Sequence, residues 1–302
     1  DMETVYGTGV GSATAIPLTN DSFPKLESEE ITLPVYNSSL GRSTSYLGFK
    51  TWNMPVKFFL KGAATFNVGG PSELGKVLRT FGLEQVLDSG VSESYKVRDT
   101  GLESATYTVN LNGIQFVVKG ARGESLKINL EAGKPTICEG NIRGLYAAPT
   151  GVAYSAPTFT DAAIVPANVS SMVMTIGGKT HVIPKMAITI KNQADFIEDI
   201  NSANDGIYSY EITGREYEVE GIALRDTDND LEWWSNLTTP TVAAVASTGY
   251  GTAGGNKIDI DFANFQFTSV EPADYKGNQA YNFKGAINLH ATAASEFQIK
   301  IT

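Results

Sequence analysis

The sequence holds a single cysteine, Cys138. One thiol excludes an intrachain disulfide and a thiolate metal cluster built within one chain, and it leaves the redox compartment open. Histidine is nearly as scarce: His181 and His290 are the only two, and neither stands near a serine or cysteine in a nucleophile signature. His-Glu-x-x-His, Gly-x-Ser-x-Gly and Walker A patterns are absent. No catalytic residue and no cofactor site is expected. Charge is also short, 19% of residues against a usual share of about 25%, which fits surfaces covered by neighbours as well as a threonine- and glycine-rich sandwich. What charge there is leans acidic, 33 Asp and Glu against 23 Lys and Arg. With no run of Lys or Arg, the chain lacks the concentrated positive charge that grips phosphates. The same balance suits a surface that nucleic acid slides past, since like charges repel. No stretch reaches the roughly 18–20 apolar residues of a membrane helix, and Asp1-Met2-Glu3 carries neither the basic nor the apolar region of a signal peptide. A soluble chain without membrane insertion is the expectation.

What is present is two-residue alternation. Residues 1–45 are rich in Gly, Ser, Thr and Pro, with apolar islands at Ile31-Thr32-Leu33 and Val35-Tyr36, and read as an extended arm. A strand pair is expected over 46–52 and 55–63, joined at Asn53-Met54. After Gly69-Gly70-Pro71, the spacing of Leu74, Val77, Leu78 and Phe81 predicts a helix, with Glu73 in its first turn, that continues to about Leu87. In 107–118, Asn112-Gly113 supplies the two positive-φ residues of a tight hairpin turn. That turn sets Leu111 opposite Ile114, Val109 opposite Phe116 and Tyr107 opposite Val118 on an apolar face. Thr108, Asn110 and Gln115 fall on a polar one. Leu126, Ile128 and Leu130 keep the period, and Gly133-Lys134-Pro135 turns the chain into a strand through Ile142.

Residues 151–168, Ala-, Pro- and Thr-rich with almost no charge, read as a linker. Beyond it a hairpin turns at Gly177-Gly178, with Met186, Ile188 and Ile190 continuing the alternation. A strand pair follows over 207–224 around Gly214-Arg215, then a short helix from Asp228 to Leu237. Between Phe262 and Phe265 the apolar face changes parity, which requires a β-bulge. Both halves thus run strand pair, helix, long strands. The tag apolar-Lys/Arg-Gly recurs at 60–62, 118–120, 142–144 and 283–285. The chain is expected to be mainly β, with two tandem β-sandwich or half-barrel domains, each flanked by a short helix: 46–150 and 169–302. If the halves are duplicates, three chains can build a ring of six similar domains.

Candidate chemistry is sparse. Asp226, Asp228 and Asp230 have the 1, 3, 5 spacing of a calcium loop, but Leu231 stands where the loop needs Gly and Leu237 where it needs Glu. No metal site is expected there, since acidic residues leading a helix account for them better. Trp233 and Trp234 are adjacent on the expected helix, so one can enter the core while the other meets a neighbour. Exposed beside polar groups, such rings would instead suit a carbohydrate-binding module.

The stretch Gly120-Ala-Arg-Gly-Glu-Ser-Leu-Lys-Ile-Asn-Leu-Glu-Ala-Gly-Lys-Pro135, continued by Gly140-Asn-Ile-Arg-Gly-Leu-Tyr-Ala-Ala-Pro149, resembles the tail tube proteins of long-tailed bacteriophages. The likeness is specific over about thirty residues; elsewhere it is one of strand rhythm and of Ile212-Thr-Gly-Arg215. It implies a structural subunit with no enzymatic role, whose inner sheet joins those of neighbours around a lumen. In the duplicated form, homotrimeric, pseudo-hexameric rings stack into a tube together with other tail proteins. Viral DNA passes through without specific binding. The implied location is the virion tail, assembled in the host cytoplasm. On this reading Thr108, Asn110 and Gln115 are lumen candidates, and Trp233 and Trp234 are assembly candidates. The alternatives are a baseplate, tail-tip or other assembling virion protein, and a monomeric carbohydrate or adhesion module.

Overall fold

The computed structural model describes residues 1–11, 14–19, 21–32, 44–63, 72–153, 156–159, 164–239, 241–252, 255–290 and 296–302; at 227–231 and 252 only the backbone is described. Leu33, Val35, Tyr36 and Pro71 fall outside this set. The first half contains β1 (Lys25–Thr32), β2 (Ser45–Phe59), α1 (Gly75–Thr80), β3 (Leu83–Asp88), β4 (Ser92–Val97), β5 (Ala105–Leu111), β6 (Ile114–Glu131), β7 (Ile137–Leu145) and β8 (Thr150–Gly151). The second contains β9 (Met174–Ile176), β10 (Lys179–Thr180), β11 (Lys185–Glu198), β12 (Ile207–Leu224), α2 (Thr227–Thr238), β13 (Ala243–Ser247), β14 (Tyr250–Thr252), β15 (Asn256–Tyr275), β16 (Asn278–Ile287) and β17 (Phe297–Ile301). The protein is mainly β, with one helix in each half among the described residues.

Eight strands form one uninterrupted antiparallel run in the order β1–β2–β7–β6–β11–β12–β16–β15. It crosses from one half to the other at β6–β11, in register from Lys185↔Glu131 to Lys191↔Ser125. Alternation then sorts the side chains. Trp52, Met54, Val56 and Phe58 of β2, Leu126 and Ile128 of β6, Ile188 and Ile190 of β11, and Val219 of β12 are buried on one face. The sheet folds back at β15, whose first half pairs with β17, and β17 pairs in turn with β4 of the first half. Ile260, Ile299 and Tyr95 of this second layer are fully buried, so the core lies between the layers and belongs to both halves.

The expected strand pair over 46–63 is instead the single strand β2, straight through Asn53-Met54-Pro55. The proline is tolerated because Lys57, two residues on, turns its amide to Ser22 Oγ (3.2 Å) and its carbonyl to the Thr19 amide (2.8 Å). Pro55 therefore directs its nitrogen to the same outer edge, where β7 needs no donor. Residues 207–224 are likewise one strand: Gly214 and Arg215 pair in register with Gln193 and Asn192, and the chain bulges at Thr213, between Gly214 and Ile212, rather than turning. The first helix buries Leu74, Val77, Leu78 and Phe81 as expected but stops at Thr80. Gly82 adopts φ +82, closing the helix, and Leu83–Asp88 pairs with β4 as a strand.

Other local expectations hold. Asn112 and Gly113 have φ of 47 and 83, and β5–β6 pairs in the expected register. A bulge separates Phe262 from Phe265, where Ala263 and Asn264 of β15 oppose the single Ala244 of β13 and Asn264 takes φ 52. The Gly177-Gly178 turn joins β9 to β10, but Met186, Ile188 and Ile190 belong to β11, which leaves that hairpin to pair with β6 and β12.

Candidate assembly surfaces

The face of the eight-stranded run opposite the core is polar, and several of its charges are paired across strands. Lys57 of β2 meets Glu139 of β7 (2.7 Å). Arg143 of β7 reaches Glu27 of β1 (3.5 Å) and Glu124 of β6 (3.3 Å). Lys191 of β11 meets Glu218 of β12 (2.6 Å). Lys127 of β6 spans β11 to Glu220 of β12 (2.7 Å), past the small side chain of Ala187, which is Glu220's register partner. The pairing raises the Lys191 ammonium and lowers the Glu218 carboxyl from their ordinary values, through the hydrogen bond they share. A groove of about 470 Å³ bordered by Lys127, Lys185, Glu220, Glu271, Asn282 and Lys284 lies on this face, which is concave there. Acid and base alternate along it, so it presents no cluster of cations to hold a phosphate chain.

Among the described residues both ends of the run are open, and β1 pairs on one side only, with β2. Along β15, Gln266–Tyr275 pairs with β16 on one side and, among the described residues, with no strand on the other. Eight antiparallel strands are an even number, so β1 and β15 run in opposite directions.

Buried polar ties lock the halves together. Arg215 of β12, its side chain 9% exposed, donates to the carbonyls of Gly82 and Arg98 (3.2 Å each) and to Asn192 Oδ1 (3.1 Å). Asn192 in turn donates to the carbonyls of Phe81 (3.0 Å) and Gly123 (2.8 Å). Arg122 of β6 donates to the Tyr210 carbonyl and Glu211 of β12, and its guanidinium lies 5.0 Å from the Tyr6 ring. Tyr6 accepts from the Tyr210 amide (2.7 Å). The Glu3 carboxylate accepts from Ser104, Thr106 and the Gly120 amide, so residues 3–6 of the segment read as an arm are fastened to β5, β6 and β12.

A family model described as "Phage tail tube protein" matches residues 1–295. The chain belongs to the phage tail tube protein family. No curated protein sequence matches it. As a tail tube protein it is a structural component of the virion tail, from a family that is not one of enzymes.

In this tail tube protein the residues singled out from the sequence separate. Thr108 and Asn110 are exposed and Gln115 is half-buried, on a β5–β6 hairpin that leaves the polar face at the bulges between Lys119 and Ser125. The hairpin's apolar side packs through Phe116 on Trp52 (5.7 Å) and through Tyr107 on Thr80 of the helix (3.2 Å). Trp233 is 5% exposed, enclosed by His181, Phe267 and Phe283, whereas Trp234 is 38% exposed and edge-on to Tyr281. Asp226 is exposed ahead of α2; the side chains of Asp228 and Asp230 lie outside the described residues. The paired polar face and the two arginine ties were not anticipated as sites. Arg122 and Arg215 did stand within the motifs that carried the family likeness, Gly120-Ala-Arg-Gly123 and Ile212-Thr-Gly-Arg215.

Proposed function

We propose that three copies of this tail tube protein close a pseudo-hexameric ring, and that the paired polar face of the eight-stranded run lines its lumen. The observation that carries the reading is the pair of open, oppositely directed edges on one continuous sheet. Set β1 of one copy beside β15 of the next and antiparallel alternation continues across the joint, satisfying backbone groups that are otherwise bare. Pro272 lies in this edge strand, where a residue without a backbone donor is tolerated. Such a head-to-tail contact repeats around an axis and closes if the rotation fits. Residues 46–150 and 169–302 act as the two tube-type units of each chain, each supplying strands to the wall and one helix behind it. The lumen wall carries its charges as cross-strand pairs, so DNA passes without specific binding, and the chain has no catalytic role.

Negative-stain electron microscopy of the purified protein across concentration, with mass determination of the soluble species, tests this. Hollow rings whose smallest unit is three chains are expected. A monomer at every concentration tried, or a flat lattice, would sink the proposal.

A further inference from the structure

The β11–β12 hairpin ends in a loop, 199–206, that projects one apolar side chain. Ile200 is 100% exposed, flanked by Ile197 at 47% and Tyr208 at 63%. The loop is internally fastened. Asp199 accepts at its side chain from the Asn201 amide (2.9 Å), and its amide donates to the Gly206 carbonyl (2.9 Å). The Ser202 amide donates to the Asp199 carbonyl (2.9 Å), and Ser202 Oγ donates to the Ile207 carbonyl. Ile200 is thus held out by a preorganised turn. Residues 198–206 contain Glu198, Asp199 and Asp205 but no Lys or Arg; Lys50 lies 3.5 Å from Asp205.

The other end of β11 is complementary. A cavity of about 170 Å³ opens there, lined by Leu130, Met172, Met174, Ile183 and Met186, with His181 in its wall. For scale, an apolar cavity of about 150 Å³ holds a benzene molecule, so this one takes a single branched aliphatic side chain. Methionines adapt their shape to such a guest. Next to the lining residues along the chain, Lys134 and Lys185 stand with Lys276 near Glu131 and hold its carboxyl below the ordinary value, the Lys134 hydrogen bond being the largest cause, while Asp226, Glu232 and Lys179 stand near His181 in the cavity wall. Four lysines against three carboxylates leave this end near balance, while the loop at the far end carries only acidic groups. β11 has 14 residues, so loop and cavity lie about 45 Å apart at 3.3 Å per residue, at opposite ends of the wall.

We infer that the 199–206 loop is the ring-to-ring plug: Ile200 of one copy enters the methionine-lined cavity of a copy in the next ring. A knob and its socket at opposite ends of one strand make a head-to-tail contact, which propagates as an open stack. The inference rests on the tube reading and names which surfaces stack.

The test uses the full chain. Ile200→Asp, at a fully exposed position, is expected to leave rings intact and abolish tubes at concentrations where the parent forms them. A second variant, Ile200→Cys with Met172→Cys, is expected to give an interchain disulfide ladder on oxidation of tubes but not of unstacked rings; neither single cysteine gives the ladder. Tubes of parental length from Ile200→Asp, or no ladder from the cysteine pair in tubes, would overturn the plug while leaving the tube reading standing. A parent that forms neither rings nor tubes would remove both.

Discussion

Replacing Gly123 with alanine sets a Cβ against the ring of Phe81, with Cγ at 2.6 Å and two further ring carbons nearer still. Ordinary carbon contacts need about 3.5–4.0 Å, so something must move. Neither partner is free to. Phe81 is fully buried and also covers Gly140, where a Cβ would lie 2.6 Å from Cζ. Asn192 grips the carbonyls of Phe81 and Gly123 together (3.0 and 2.8 Å) and is itself held by Arg215. Gly123→Ala is therefore an overpacking change with little relief, costing about 1–3 kcal/mol, or a fall in Tm of roughly 5 °C for a chain of this size. The assay is urea and thermal unfolding of the unassembled protein, with Phe81→Leu as the partner in a double-mutant cycle. Phe81→Leu alone destabilises, but in the Gly123→Ala background it costs less or stabilises, giving a coupling of about 0.5–3 kcal/mol. A Gly123→Ala protein within about 0.5 kcal/mol of the parent, or two strictly additive changes, would refute the account of why glycine stands at this corner.

Arg215→Met removes the donor shared by Gly82, Arg98 and Asn192, so it should cost about 3–5 kcal/mol, as for breaking one partner of a buried charged network; a loss below about 1 kcal/mol in denaturant unfolding would show that the tie between the halves is dispensable. Burial pushes the Cys138 thiol far above its ordinary value, so thiol reagents at pH 8 should label it only after denaturation; rapid labelling of the native protein would contradict its place in the core. Three copies of the eight-stranded run make a barrel of 24 strands. At about 4.8 Å between strands and a tilt near 40° this gives a backbone diameter of roughly 48 Å, and a wall far from that width in a cryo-EM reconstruction would refute the trimeric closure.

Much of the fold is legible in the sequence because it is local. Asn112-Gly113 can form only a tight turn, and with the turn fixed the register of Tyr107–Val118 follows. The parity change between Phe262 and Phe265 announces its bulge for the same reason. Errors cluster where a local breaker is overruled by its surroundings. Pro55 reads as the edge of a turn, yet a proline whose nitrogen points away from the neighbouring strand interrupts nothing. Gly82 reads as a flaw in a helix, while the chance to pair Leu83–Asp88 with β4 makes it a stop. The assembly surfaces are less legible, because they are set by which strands meet. Nothing near Lys127 or Glu220 reveals that 93 positions of separation close to a single ion pair, and no periodicity foretells that β6 and β11 form the seam. Trp233 and Trp234 look alike in sequence; only the fold puts one among Phe267 and Phe283 and leaves the other half outside.

The place of β17 has a consequence for the order of events in the cell. Phe297, Ile299 and Ile301 are buried between β15 and β4, so a strand of the first half waits for residues about 200 positions downstream. At ribosomal rates of about 5–20 residues per second that wait lasts roughly 10–40 s. Throughout it β4 has β3 on one side and a vacancy on the other, so the nascent first half stays an incomplete layer. A polymerising subunit gains from this delay: the layer behind the wall cannot be finished, and so the wall lacks its final backing, until translation has passed Ile301. Moving β17 upstream by circular permutation would hand the first half its missing strand early, and with it the risk of assembly on the polysome.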